Sequence, residues 1–183
     1  NVGTLRATHD LNAYAAGSVL QGGLVEAGDA LNLTARDDIR NAMGGQIRGD
    51  RVSLTALEGD VVNDRLSVAA GTSRDYRSYL DQGGSISARD QLDIRAGRDV
   101  VNRGRLTSDG DLSVTAGRDI VAGAVVDVSH WQDARGHDRQ DSATTLGSTT
   151  TAGGDLTWQA GRDIAIDASQ VSSSDDLVLA AGR

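Results

Sequence analysis

A single block recurs along this chain at a step of 20 or 21 residues, and a step that short dictates the fold more firmly than any local propensity. In its fullest form the block reads L-x-[LVI]-x-A-G-R-D-[IV]. It opens at Leu11-Asn12-Ala13, Leu31-Asn32-Leu33, Val52-Ser53-Leu54, Leu92-Asp93-Ile94, Leu112-Ser113-Val114, Leu156-Thr157-Trp158 and Leu177-Val178-Leu179. The longer steps, from residue 52 to 92 and from 112 to 156, correspond to two turns each. Two further alternating segments accompany every block. One is led by Val25, Ile47, Ile86, Leu106 or Val171; the other starts at Asp38-Ile39, Asp60-Val61, Asp99-Val100, Asp119-Ile120 or Asp163-Ile164. Three strands and three Gly/Asp turns in about 20 residues are too little chain for hairpins and a sandwich, but they close one coil of a solenoid.

The expected fold is therefore all-β, a parallel β-helix with three short strands per coil, and residues 1–183 form a single such segment. Alternate apolar residues should point inward and stack on their counterparts one coil away, with Ser, Thr, Asn, Asp and Arg pointing outward. At ~4.8 Å between paired strands, roughly eight coils would make a rod on the order of 40 Å long.

The residues available suit that coil. The chain has 23 Gly, no Pro, no Phe, no Cys and 3% aromatic residues. A core without large rings has to come from closely spaced layers of Val, Ile, Leu and Ala. All 18 basic residues are Arg, and every acid among the 26 is Asp except Glu26 and Glu58. Asp favours turns where Glu favours helices, so the imbalance points to short strands joined by tight turns. A net charge of −8 argues against a nucleic-acid partner, which needs a basic face. No stretch approaches the roughly 18 consecutive apolar residues that span a bilayer. The lack of Cys is compatible with the cytosol and with a large export substrate that must stay uncrosslinked until it leaves the cell.

Two stretches break the period, about 70–84 and 129–148. Both leave from the same point of the coil and should be extra-helical hairpins or loops. They hold three of the five aromatic residues, Tyr76, Tyr79 and Trp131, together with Arg135. Exposed aromatics beside Arg are the residue types that anchor interfaces, so these four are candidate partner contacts; packing on the flank of the helix is the structural alternative. His130 and His137 share the second insertion with Asp133, Asp138 and Asp141, but their spacing matches no recurring metal-ligand pattern. The stacked A-G-R-D turns should build an Arg/Asp ladder along the rod. A catalytic Asp cluster would have to converge on one face, whereas Asp99 and Asp119 are spaced by turn geometry; no catalytic residue is assigned. Arg48-Gly49-Asp50 is a cell-attachment tripeptide. Its Gly-Asp pair occupies the place of Gly28-Asp29 and Gly110-Asp111, so the repeat itself supplies two of the three letters.

The blocks Asp111-Leu112-Ser113-Val114-Thr115-Ala116-Gly117-Arg118-Asp119-Ile120 and Gly153-Gly154-Asp155-Leu156-Thr157-Trp158-Gln159-Ala160-Gly161-Arg162-Asp163-Ile164 resemble the haemagglutinin repeats of two-partner-secreted exoproteins. That group comprises the filamentous haemagglutinins and the contact-dependent growth-inhibition effectors, and the likeness covers nearly the whole chain. It implies a right-handed coil, export through a dedicated outer-membrane transporter, and a filament on the bacterial surface. It implies no cofactor. The partners it implies are a host-cell receptor or glycan, or neighbouring bacteria. The tripeptide Arg48-Gly49-Asp50 inclines the reading to the haemagglutinin branch. An adhesive shaft is the expected function, with the passive stalk of a toxin-delivery protein as the alternative and a polysaccharide-cleaving β-helix enzyme as the third. Because both ends fall inside repeats, the terminal coils are expected to carry unpaired strand edges.

Overall fold

The computed structural model describes residues 1–182, and every regular element among them is a strand. Three parallel faces run along the rod. The first stacks β1 (Thr4–Ala7), β4 (Leu24–Ala27), the opening half of β7 (Gln46–Ala56), the opening half of β11 (Ser85–Ala96), β13 (Arg105–Ser108), β18 (Thr149–Ala152) and β21 (Gln170–Ser173). The second stacks β2 (Leu11–Ala15), β5 (Ala30–Ala35), the closing halves of β7 and β11, β14 (Asp111–Ala116), β19 (Leu156–Ala160) and β22 (Leu177–Ala181). The third stacks β3 (Val19–Gln21), β6 (Ile39–Asn41), β8 (Val61–Asn63), β12 (Val100–Asn102), β15 (Ile120–Ala122) and β20 (Ile164–Ile166). The expected parallel β-helix is thus the observed fold. It has seven coils rather than eight, because the insertions consume the chain that an eighth would need.

The repeat becomes register by stacking like on like. Leu31 pairs with Leu11 on one side and Val52 on the other, and Leu112 pairs with Leu92 and Leu156. Leu31, Val52, Leu92, Leu112 and Leu156 are all buried. Each such side chain contributes about 1.5–3 kcal/mol when fully removed from water. The Ala of the block forms its own column, with Ala35, Ala56, Ala96, Ala116 and Ala160 buried where the chain turns. The Gly that follows is needed because successive turns touch. A Cβ on Gly117 would lie 2.2 Å from the Gly97 carbonyl oxygen, and one on Gly161 the same distance from that of Gly117. Trp158 occupies an inward position between Val114 and Leu179 and is fully buried.

Asn does not uniformly point outward. Asn12 and Asn32 do, joined by a 2.8 Å side-chain bond on the surface. Asn41, Asn63 and Asn102 close the third strand of successive coils and are buried. Asn41 Nδ2 donates to Asn63 Oδ1 and Asn63 Nδ2 to Asn102 Oδ1, both at 2.9 Å, and Asn102 Nδ2 donates to Thr150 Oγ1 at 3.2 Å. The same amides reach the carbonyls of the following turn, Asn41 to Gly45 at 2.9 Å and Asn63 to Arg105 at 3.1 Å. An amide carries both donors and acceptors, so the column bonds along itself and to the corner backbone, with only Asn41 Oδ1 at its start left without a partner among the three amides.

Both insertions leave after a third strand. Their strands are β9 (Ser67–Gly71) with β10 (Asp75–Leu80), and β16 (Ala124–Gln132) with β17 (Arg139–Gly147). They start before the period visibly lapses, because Leu66-Ser67-Val68 and Val126-Asp127-Val128 alternate like coil strands while belonging to the hairpins. The first hairpin is anchored at its neck by Asp64. This carboxylate is buried, is paired with Arg40 of the second coil, and lies 3.2 Å from Arg103 Nη1 of the fourth.

Candidate functional site

The two hairpins are joined. β10 pairs antiparallel with β16, giving one four-stranded sheet in the order β17, β16, β10, β9 beside the helix. Sequence reasoning placed two independent loops here; the seam between them depends on the coil pitch bringing insertions from the third and fifth coils side by side.

The seam is built from named side chains. Tyr76 of the first hairpin stands opposite His130 of the second, and their rings stack with centroids 5.3 Å apart and an interplanar angle of 25°. His130 Nδ1 donates to Asp141 Oδ1 at 2.5 Å, and Arg139 Nε approaches Asp141 Oδ2 at 2.5 Å. The His130 bond first, then that from Arg139, holds the Asp141 carboxyl below the usual carboxylate range. Where the backbone pairing ends, Ser78 takes over. Its Oγ accepts from the Val128 N–H at 2.7 Å and donates to the Asp127 carboxylate at 2.5 Å.

The four candidate contact residues all lie on this sheet or its turn. Tyr79 is 63% exposed, Trp131 45% and Tyr76 38%, so none is packed away in a core, although Tyr76 is engaged at the seam. Trp131 stands opposite Asp75 and Gln140, and Tyr79 opposite Val68. Met43, Leu66, Val68, Tyr79 and Leu80 line one shallow apolar hollow where the first hairpin meets the coil. Arg135 is exposed in the second hairpin's turn. There Asp133 Oδ1 accepts from the His137 N–H at 2.7 Å and the Asp138 N–H at 3.3 Å, so this carboxylate closes the turn. Among the described residues, no group of three His, Asp or Glu side chains is placed to hold one metal ion.

Arg48-Gly49-Asp50 lies inside β7, which, like β11 of the next coil, runs unbroken through a corner where the remaining coils interrupt their strands. It is therefore strand rather than turn. Gly49 pairs with Ala88 and so takes the position of an inward alanine, one residue out of step with the expected match to Gly28. Arg48 stands between Glu26 and Ser87, and the Asp50 carboxylate is paired with Arg89 of the next coil.

Asp99 and Asp119 are parts of a staircase. Each Asp accepts the backbone N–H of its counterpart one coil on, Asp99 to Asp60 at 3.0 Å and Asp119 to Asp99 at 3.1 Å. Each also receives both ends of an Arg fork from that next coil. Arg98 meets Asp60 at 3.0 and 2.6 Å, Arg118 meets Asp99 at 3.1 and 2.5 Å, and Arg162 meets Asp119 in the same way. The Arg98 bonds, aided by the Asp99 N–H, hold the Asp60 carboxyl below its usual range, and Arg162 does the same for Asp119. Carboxylates committed in this way brace the coils.

A stack of near-identical coils with a lateral β-sheet defines a solenoid repeat shaft. The haemagglutinin repeat matches residues 1–42, 61–160 and 141–183, and the chain belongs to that family, the secreted cell-surface exoproteins of two-partner secretion. The protein named tRNA nuclease CdiA of Escherichia coli STEC_O31 is 33% identical over 189 residues, which cover 98% of this chain and 6% of the relative. The tRNA nuclease CdiA of Yersinia mollaretii is 31% identical over 81% of this chain and 6% of its own length. The deoxyribonuclease CdiA of Dickeya dadantii is 36% identical over 70% of this chain and 4% of its own. The chain thus spans only about one-twentieth of the length of these relatives. No solved structure matches it. The haemagglutinin-repeat region is a structural segment of such exoproteins.

Proposed function

We propose that this shaft segment is adhesive, the coils giving reach and the lateral sheet giving contact with a host-cell receptor, a glycan or a neighbouring bacterium. One observation carries the reading. The large exposed apolar side chains away from the two coil ends concentrate on the insertions, with Val68, Tyr79, Val126 and Trp131 all more than a third exposed on elements that bury no part of the helix core. A sheet that consumes chain, adds nothing to the core and displays aromatics has the composition of a recognition surface. Arg48-Gly49-Asp50 takes a smaller part, since Asp50 must leave Arg89 to meet a receptor cation. Export through an outer-membrane transporter is part of the same proposal.

The test is adhesion of beads coated with the chain to epithelial cells and to bacteria. Replacing Tyr79 and Trp131 together by Ala should reduce attachment severalfold, and Asp50→Ala should reduce it less. Equal attachment by wild type and the double variant would remove the sheet from the role. A second reading is supported by the relatives named as nucleases: the segment is then a passive stalk holding a distal toxic module away from the cell. Coated beads that fail to attach at all would favour it.

A further inference from the structure

The outer edge of the lateral sheet carries an unused row of hydrogen-bonding groups in a definite register. β17 has β16 on one side and, among the described residues, no strand on the other. Seven of its nine residues are exposed. Its direction of bonding can be counted from the turn. The Asp133 N–H donates to Asp138 O at 3.0 Å. Along the antiparallel register, the pairs Trp131/Gln140, Ser129/Ser142 and Asp127/Thr144 therefore bond each other. The alternate residues Asp141, Ala143 and Thr145 turn their N–H and C=O groups outward. The other side of β16 agrees with the count, because the Gln132 N–H donates to Arg74 O at 2.7 Å across the seam.

Edges of this kind are ordinarily blunted by proline, lysine, a bulge or shortness. β17 has none of these. It is nine residues long, its pairing with β16 runs without a register shift, and its centre, Ser142-Ala143-Thr144-Thr145, is uncharged. The opposite edge, β9, has five residues and ends at Gly71 with φ 130°.

We infer that β17 pairs antiparallel with β17 of a second copy of this chain, centred on Ala143, so that two shafts lie side by side and head to tail with one continuous eight-stranded sheet between them. Charge selects both the occupant and the register. With Ala143 opposite itself, Asp141 meets Thr145 and Ser142 meets Thr144, a pairing of hydroxyls that favours strand association, and no like charges face. Centred on Asp141 the same edge would set two carboxylates opposite each other. Centred on Thr145 it would run Asp141 against Thr149, which is already bonded into the coil. The Ala143 register lets three residue pairs exchange about six backbone bonds. A half-turn about that centre is an isologous two-fold operation. Since each hairpin runs out from its coil and back, the operation puts the partner's coils on the tip side of the first hairpin. The join repeats on a larger scale what β10 and β16 already do.

The experiment is sedimentation of the whole chain over a wide concentration range, with cross-linking. Wild type should show a concentration-dependent dimer, and Ala143→Lys, which puts two like charges at the centre, should weaken it by roughly tenfold or more. Ala143→Cys should be captured as a dimer by a short bis-maleimide. Gln140→Cys should not, because the two thiols would be separated by roughly 20 Å of strand. Unchanged strand circular dichroism in Ala143→Lys shows that the coils remain folded, and any end-to-end association of coils should be untouched by it. A wild type that stays monomeric throughout, a dimer indifferent to Ala143→Lys, or equal capture at residues 140 and 143 would each overturn the proposal. So would an edge that takes up an unrelated extended peptide while the chain stays monomeric.

Discussion

Asn63 sits in the middle of a buried amide column, bonded to Asn41 on one side and to Asn102 on the other. Replacing it by Ala takes the acceptor from one Nδ2 hydrogen of Asn41, while Asn102 Oδ1 keeps the Gly104 N–H, so Asn63→Ala should lower unfolding stability by about 1–3 kcal/mol. Asn12→Ala, at the exposed end of the Asn12/Asn32 pair, should stay within about 0.5 kcal/mol. Urea denaturation of the two variants compares them directly, and equal losses would show that burial does not matter. Trp158 poses a different problem, since its Nε1 is buried without a hydrogen-bond partner. Trp158→Ala should cost about 3–5 kcal/mol by opening a cavity. Trp158→Phe, which removes the orphan donor and keeps most of the volume, should cost clearly less in the same titration. Alternation alone identified Trp158 and the aliphatic columns as inward. It assigned the asparagines outward because polarity was taken to mean solvent. The signal that marked them was recurrence, Asn41, Asn63 and Asn102 each standing two residues after the Ile or Val that opens the third strand.

Between coils, the turns are held by charge. Asp60 and Asp119 have carboxyl groups held below their ordinary value of 3.8 by Arg98 and Arg162. A depressed value in the folded state means that the charged form is favoured there. The ladder's contribution is therefore complete above 3.8 and is lost as pH falls through the lower, folded values. The urea midpoint should hold from neutral pH to about 5 and drop below about 4, and Arg98→Gln should flatten part of that drop. At neutral pH the same change should cost little, because the Arg side chains are about half exposed and solvent screens the pair. The Arg/Asp ladder was readable from A-G-R-D. Its connectivity was not, since each Arg reaches back to the Asp of the preceding coil, Arg162 alone also lying 3.3 Å from its own neighbour Asp163. The hairpins show the same division. Their existence follows from the broken period, whereas the Tyr76/His130 seam joins residues 54 positions apart in the chain and depends on the axial rise between coils.

Across the whole rod, stability should vary with position. A central coil has a neighbour on each side, while the first and last expose Val2 and Leu5 at one end and Leu177, Val178 and Leu179 at the other. In such a stack each coil is stabilised by its interfaces, so opening proceeds from the ends. Amide hydrogen exchange should be slowest in the third to fifth coils, at Leu54, Ile94 and Val114, and fastest in β1 and β22. Uniform protection along the axis would contradict a nearest-neighbour solenoid. The sequence by itself determined the coil, its three faces and the identity of the stacked aliphatic residues, because a 20-residue period with inward alternation has one economical closure, and the wording of its repeat blocks carried the resemblance to the family. Only the tertiary structure decided which polar residues go inside, how the Arg and Asp columns interlock, and that two insertions merge into one sheet with a free edge. Those outcomes depend on distances between neighbouring coils, and residues that lie within a few ångströms there are 20 to 60 positions apart in the chain, where no local pattern records them.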